Sequence, residues 1–165
     1  MMAIVNMNTL HLHANDDEAW RIEIPSLPEL TKYGGFRCSH YPSECLEPAY
    51  GSGPLKSAST NGYLSEDEYS DLLFYARSRG ISIILEINGP GHARAAIMAM
   101  KKRNDPRYCL HDPQQKTFDV ESVQHFTGNI MNPCMDSTYE FLETVIKYLR
   151  KAVFKLSLDI LHNVI

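Results

Sequence analysis

At 165 residues, with 44% hydrophobic and 22% charged side chains, the chain has the make-up of one folded domain with a core, which excludes a disordered polypeptide. Its formal charge is −4 and its longest basic run is "KKR" at 101–103, which excludes a basic field for nucleic acid. No apolar run, that at 81–85 included, comes near the roughly 20 residues of a membrane span, and no charged-then-apolar leader opens the sequence, so the expectation is a chain neither exported nor anchored as it stands.

Over 6–13 the side chains alternate, Met7, Thr9, His11 and His13 against Asn8, Leu10 and Leu12, which predicts a strand with both histidines on one face. From 14 to 63 no helical period persists: "RIEI" at 21–24 can form a short strand, but Pro25, Pro28, Gly34, Gly35, Pro42 and Pro48 interrupt the remainder. Loops of this length in a compact domain are usually functional. Cys38 and Cys45 lie in it, and both a small disulfide-closed loop and two reduced thiols fit, according to compartment. With Cys109 and Cys134 they show no C-x-x-C spacing, which argues against a structural zinc.

Ser65 and Glu68 form a capping box, Tyr69, Leu72, Leu73 and Ala76 make one apolar stripe, and Gly80 stops the helix. "ISIILEI" at 81–87 predicts a strand buried on both faces of a parallel sheet. "NGPGH" at 88–92 turns the chain out of it into a short helix over 93–103. A loop with two Asp-Pro steps spans 104–136, then a second capping box, Ser137 with Glu140, opens a helix to about residue 151.

Strand, helix, buried strand is a βαβ unit, which makes the two strands parallel. Residues just past the C-terminal ends of neighbouring parallel strands share a rim, so 11–17 and 88–92 are expected to face one another there. On that rim two readings stay open. His11 and His13, two apart on one strand, can chelate a divalent metal with His92 or an aspartate completing the sphere, or they are simply two residues of one strand face. Asp16 and Asp17 can act as acid and base, or as a cap beside a solvated charge. Trp20 can stack on a sugar or anchor the loop, and Arg21 beside it favours anchoring. His92, held between a buried strand and a helix, has the stronger case for a role, paired with Asp16.

Several motifs together resemble glycoside hydrolase family 20, the β-N-acetylhexosaminidases. "LHLHANDDEAWRIEIPSLPELTKYGG" at 10–35 is similar to that family's second-strand segment, and "ILEINGPGHARAAI" at 84–97 to its third. "GFRCSHYPSECLEPAYGSGP" at 35–54, with "YCLHDPQQ" and "NPCMDST", resembles the chitobiase branch. The resemblance implies an α/β fold that is part of a TIM (β/α)8 barrel, here about two βα units with long βα loops and the barrel not closed. The family-like portion is 1–150, and 151–165 is expected to be a divergent tail. It further implies retaining hydrolysis of terminal N-acetylhexosamine residues in chitin oligosaccharides or glycoconjugates, assisted by the substrate's own 2-acetamido group, with no cofactor and no metal.

By position, the resemblance makes Asp16 and His92 the pair that supports the catalytic acid, with His13, Asp17, Trp20, Arg21 and Glu86 holding the site. Asn88 stands where the family usually has aspartate, which removes a charge while keeping the shape. Ala14 and Gly89 replace bulkier residues on the same rim. The family's Gly-Gly-Asp-Glu, which carries the acid and its partner, occurs nowhere in the 165 residues. The chain alone is therefore expected to be inactive, with open sheet edges, since a closed barrel needs about 250 residues. Parent enzymes of this kind are expected in secretory, lysosomal or periplasmic compartments, which would suit a Cys38–Cys45 disulfide. A metal-dependent hydrolase using His11, His13 and His92, and a non-catalytic sugar-binding remnant, are the alternatives.

Overall fold

The computed structural model of the chain describes residues 1–111 and 122–162, with 153–162 as helix backbone alone. A 3₁₀ turn, Met2–Val5, is closed by Asn6 in the left-handed conformation, which delays strand β1 to Thr9–His13. Helices α1 (Glu29–Lys32) and α2 (Glu66–Arg77) lie between β1 and strand β2 (Ser82–Glu86). Helix α3 (Arg94–Arg103), a 3₁₀ turn at Pro106–Tyr108 and helix α4 (Asp136–His162) complete the order.

β1 and β2 pair in parallel, with Thr9 opposite Ser82 and His13 opposite Glu86, as the βαβ reading requires. The expectation that β2 is buried on both faces is overturned. Leu10, Leu12, Ile83 and Leu85 turn toward the helices and are half-buried, whereas Thr9, His11, His13, Ser82 and Ile84 are exposed, Ile84 at 57%. The reason is geometric: among the described residues the sheet has two strands, so nothing faces its second side. "RIEI" forms no strand either. Ile22 makes a single parallel bridge to Leu64, and the chain then enters α1, whose four residues lie inside the expected loop.

α2 starts as its capping box dictates: Ser65 Oγ accepts from Glu68 N at 3.3 Å and Ser65 N donates to a Glu68 carboxylate oxygen at 2.8 Å. The Ser65 N–H, and after it the Ser65 hydroxyl at 2.8 Å, hold the Glu68 carboxyl below its ordinary range. Gly80, at φ +67, provides the left-handed turn that lets Ile81 N reach back to Ala76 O. The second capping box does not form. Ser137 Oγ donates to Cys109 O, so α4 begins at Asp136. Nor does α4 end near 151: it continues to His162. The second Asp-Pro step, Asp112–Pro113, lies outside the described residues.

The core sits between the helices and the long loop. Trp20, Ile22, Ile24, Leu27, Leu30, Ile97, Phe141 and Val145 are buried in one cluster, α1 packs on α3, and α2 packs on α4 and β2. Trp20 is 0% exposed, meets Phe141 edge-on at 6.0 Å, and donates its indole N–H to Ile22 O at 2.6 Å. A Cβ at Gly34 would collide with Leu30 O, so only glycine lets α1 end there and present its carbonyl to Trp20 N at 2.8 Å. Among the described residues no helix is long and apolar enough to cross a membrane.

Candidate active site

Past the end of β1 the chain folds back on itself. Ala14 N still donates to Glu86 O, and Arg21 N donates to Ala14 O, so 14–21 is a tight loop standing on the C-terminal rim. Asp16 Oδ1 accepts from Glu18 N at 2.7 Å and Ala19 N at 2.9 Å, the work of a local cap. This turn drives Asp17 inward, where its side chain is 4% exposed.

Asp17 is the hub. One carboxylate oxygen accepts from Arg94 N at 3.1 Å, which supplies the first turn of α3 with the cap that Ala93 lacks. The other accepts from Asn129 Nδ2 at 2.9 Å and faces His92 Nδ1 at 3.2 Å. A carboxylate that accepts elsewhere fixes Nδ1 as the donor, so the His92 ring is held in one tautomer with its Nε2 edge turned away from Asp17. The ring is 55% exposed. His92 itself lies at φ 50, a left-handed conformation that costs a non-glycine residue about 1–2 kcal/mol.

The expected pair of Asp16 with His92 is therefore corrected: the rim brings Asp17 to His92. Neighbours in a turn point opposite ways, and the two N–H groups of 18 and 19 claim Asp16. Asn88 lies against the other histidine, its side-chain amide 3.1 Å from His13 Nε2, which also reaches Asn15 O at 2.8 Å. Glu86 lies between the histidines, 2.6 Å from His11 Nε2 and 3.6 Å from His13 Nδ1. His11 and His13 are thus engaged by Glu86 and His92 by Asp17. Among the described residues no three His, Cys, Asp or Glu side chains are placed to hold a metal ion, which removes the reading that joined His11, His13 and His92.

Arg21 fastens the loop, donating to Gly35 O and Gly62 O at 3.1 and 2.6 Å and to Thr60 O at 3.4 Å. Burial holds its guanidinium below the ordinary arginine value, opposed by Asp16. Cys38 and Cys45 are joined as a disulfide. A cavity of about 340 Å³ opens beside His13, lined also by Leu12, Ala14, Arg21, Ile22 and 61–64 but by neither Asp17 nor His92. Gly89 leaves ordinary van der Waals room for a Cβ, against Leu142 at 3.6 Å.

No motif signals Asn129 or Arg94, which reach the site from a loop and a helix start. Asn15 carries no signal of its own either. Its side-chain amide mimics a peptide, accepting from Asn88 N at 2.8 Å and donating to Asn88 O at 3.2 Å.

Parallel strands whose C-terminal loops carry a buried carboxylate and a rigidly held histidine on one rim are the layout of a (β/α) barrel enzyme. The sequence profile of glycosyl hydrolase family 20, catalytic domain, matches residues 1–162, and the chain belongs to that family of glycosidases. It is 44% identical to an N,N'-diacetylchitobiase of Vibrio harveyi, over 88% of this chain and 18% of the relative. It is 37% identical to a β-hexosaminidase of Vibrio vulnificus, over 91% and 19%. Its fold matches the crystal structure of a family 20 exo-β-N-acetylglucosaminidase from Vibrio harveyi in complex with N-acetylglucosamine. The TM-score is 0.79 at 35% identity, covering 92% of this chain and 22% of that one. A Streptomyces plicatus N-acetyl-β-hexosaminidase gives 0.63 at 30% identity, covering 92% and 25%. The chain spans about a fifth of the length of the curated relatives it matches.

Proposed function

We propose that this chain supplies the supporting rim of a β-N-acetylhexosaminidase of chitobiase type, which removes terminal N-acetylhexosamine residues from chitin oligosaccharides or glycoconjugates. The observation that carries the reading is the Asp17–His92 contact, 3.2 Å, between the loops at the C-terminal ends of two paired parallel strands. With Nδ1 held by the buried carboxylate, the exposed Nε2 edge of His92 is the part of the ring open to a catalytic acid. Such a pair orients the acid and steadies its proton while the substrate's 2-acetamido oxygen attacks the anomeric carbon, the substrate-assisted course of this family. Asn88 departs from the family's aspartate, so the rim presents a neutral amide to His13. The Cys38–Cys45 disulfide supports an oxidising compartment for the parent enzyme.

Two measurements test this. Residues 1–162 replace the matching segment of the Vibrio harveyi chitobiase, and the chimera is assayed with a chromogenic N-acetylglucosaminide. It is expected to turn over, and Asp17→Asn or His92→Ala to lower kcat by about 10²-fold or more. A folded but inactive chimera refutes the proposal. The 165-residue chain alone is expected to show no turnover, and turnover there would mean that the acid is one of its own carboxylates. A sugar-binding remnant would instead give a chitobiose titration with measurable heat and an inactive chimera.

A further inference from the structure

We propose that Arg37 and Glu47 are positioning residues for the Asp17–His92 pair, gripping Asp17 from both sides through Glu18 and Arg94. The inference rests on the role proposed for that pair. Arg37 is a cation with only 7% of its side chain exposed, and no motif assigns it a role. Its Nη1 donates to Glu18 Oε2 at 2.8 Å and its Nε to Glu47 O at 3.0 Å. The Glu47 carboxylate then accepts from Arg94 Nη2 at 3.0 Å, and the same nitrogen reaches Tyr41 Oη at 3.0 Å. Arg94 N donates to Asp17, and Asp17 precedes Glu18 in the chain. The contacts close a ring: Asp17, Arg94, Glu47, Arg37, Glu18 and back to Asp17.

The ring is anchored where Arg37 sits. The Asn61 side-chain amide binds the Arg37 backbone at both its N–H and its carbonyl, each at 2.9 Å. Cys38 N and Leu46 N bond across the base of the disulfide loop, to Leu46 O and Phe36 O. A guanidinium this well fixed transmits position, because its planar fork binds two acceptors in one geometry. Its third nitrogen, Nη2, is buried with no hydrogen-bond partner. Leaving a donor unsatisfied is unfavourable for folding, as expected of a side chain retained for the geometry it imposes rather than for stability. A lysine could reach one of the two acceptors but not both.

The test reads His92 directly, independently of hydrolysis. In the 165-residue chain with ¹⁵N-labelled histidine, the His92 ring nitrogens are expected to report one tautomer, protonated at Nδ1. Arg37→Met and Glu47→Met, the latter at a half-exposed carboxylate and removing the acceptor of Arg94, are expected to shift the ring signals toward the average of a free imidazole. Arg37→Lys is expected to recover part of the change. Arg103→Met, which breaks the Arg103–Glu29 pair between α1 and α3, is the control for destabilisation alone and is expected to leave the ring signals in place. The proposal falls if Arg37→Met and Glu47→Met leave the His92 signals unmoved, or if Arg103→Met moves them as far. A wild-type ring already averaged between tautomers would instead overturn the Asp17–His92 pair, and this inference with it.

Discussion

Asp16 and Asp17 are chemically identical neighbours, and replacing each by asparagine separates them. In Asp17→Asn the single remaining acceptor oxygen can keep Arg94 N, while the new NH₂ group faces two donors, Asn129 Nδ2 and His92 Nδ1. Hydrogen bonds to a charged acceptor contribute about 1.5–3 kcal/mol each. The His92 ring can change tautomer and accept, which recovers most of that contact, so a net loss of little more than one such bond gives about 2–4 kcal/mol. For a chain of this size that lowers Tm by roughly 5–15 °C. In Asp16→Asn the asparagine oxygen still accepts from Glu18 N and Ala19 N, and asparagine caps as well as aspartate, so the loss should stay within about 0.5 kcal/mol. Urea unfolding followed by the fluorescence of the single tryptophan, Trp20, measures both. Equal losses, or a larger one for Asp16→Asn, would refute the assignment of Asp17 as the hub.

Trp20→Phe removes the donor to Ile22 O and part of the buried ring, and is expected to destabilise by about 2–4 kcal/mol in chemical denaturation. Reducing the Cys38–Cys45 bridge, seven residues apart in sequence, frees a short loop and should lower stability by roughly 2 kcal/mol, read as a drop in Tm with reductant that Cys38→Ser abolishes. Burial pushes the Tyr33 phenol up to about 12 from 10, with Tyr41 adding to the rise. Its folded value is the higher one, so its contribution is whole below about pH 10 and is lost as pH rises from about 10 to about 12. Tyr33→Phe should flatten the fall in stability across that window.

The features legible in the sequence are local in origin. The Ser65–Glu68 box, the Gly80 stop and the alternation over 6–13 each act within a few residues, and the structure keeps the first two and the third from Thr9 onward. Parallel pairing is a consequence of those elements, and with it the meeting of two loops on one rim. The choice between Asp16 and Asp17 is not legible, because it depends on which way a turn closes, and that is settled by Glu18 N and Ala19 N together with donors from residues 92, 94 and 129. The one-sided burial of β2 is hidden for a related reason: an apolar run records the surroundings a strand is suited to, and Ile84 faces none here. Ser137 shows the same limit, since a capping signature competes with any nearby carbonyl, and Cys109 O won.

Asn15 also settles a choice that the strands leave open. Sliding β2 along β1 by two residues would keep every side chain on its proper face, because Leu10 and Leu12 are interchangeable, as are Ile83 and Leu85. Such a slide would carry the two loops apart by roughly 6.6 Å, more than the contact of His92 with Asp17 could survive. The Asn15 amide adds one further rung beyond the last backbone pair, and it fits only when residue 88 is level with it. Among the described residues the sheet has two strands, and it thus carries its own index mark, two residues before Asp17 and four before His92.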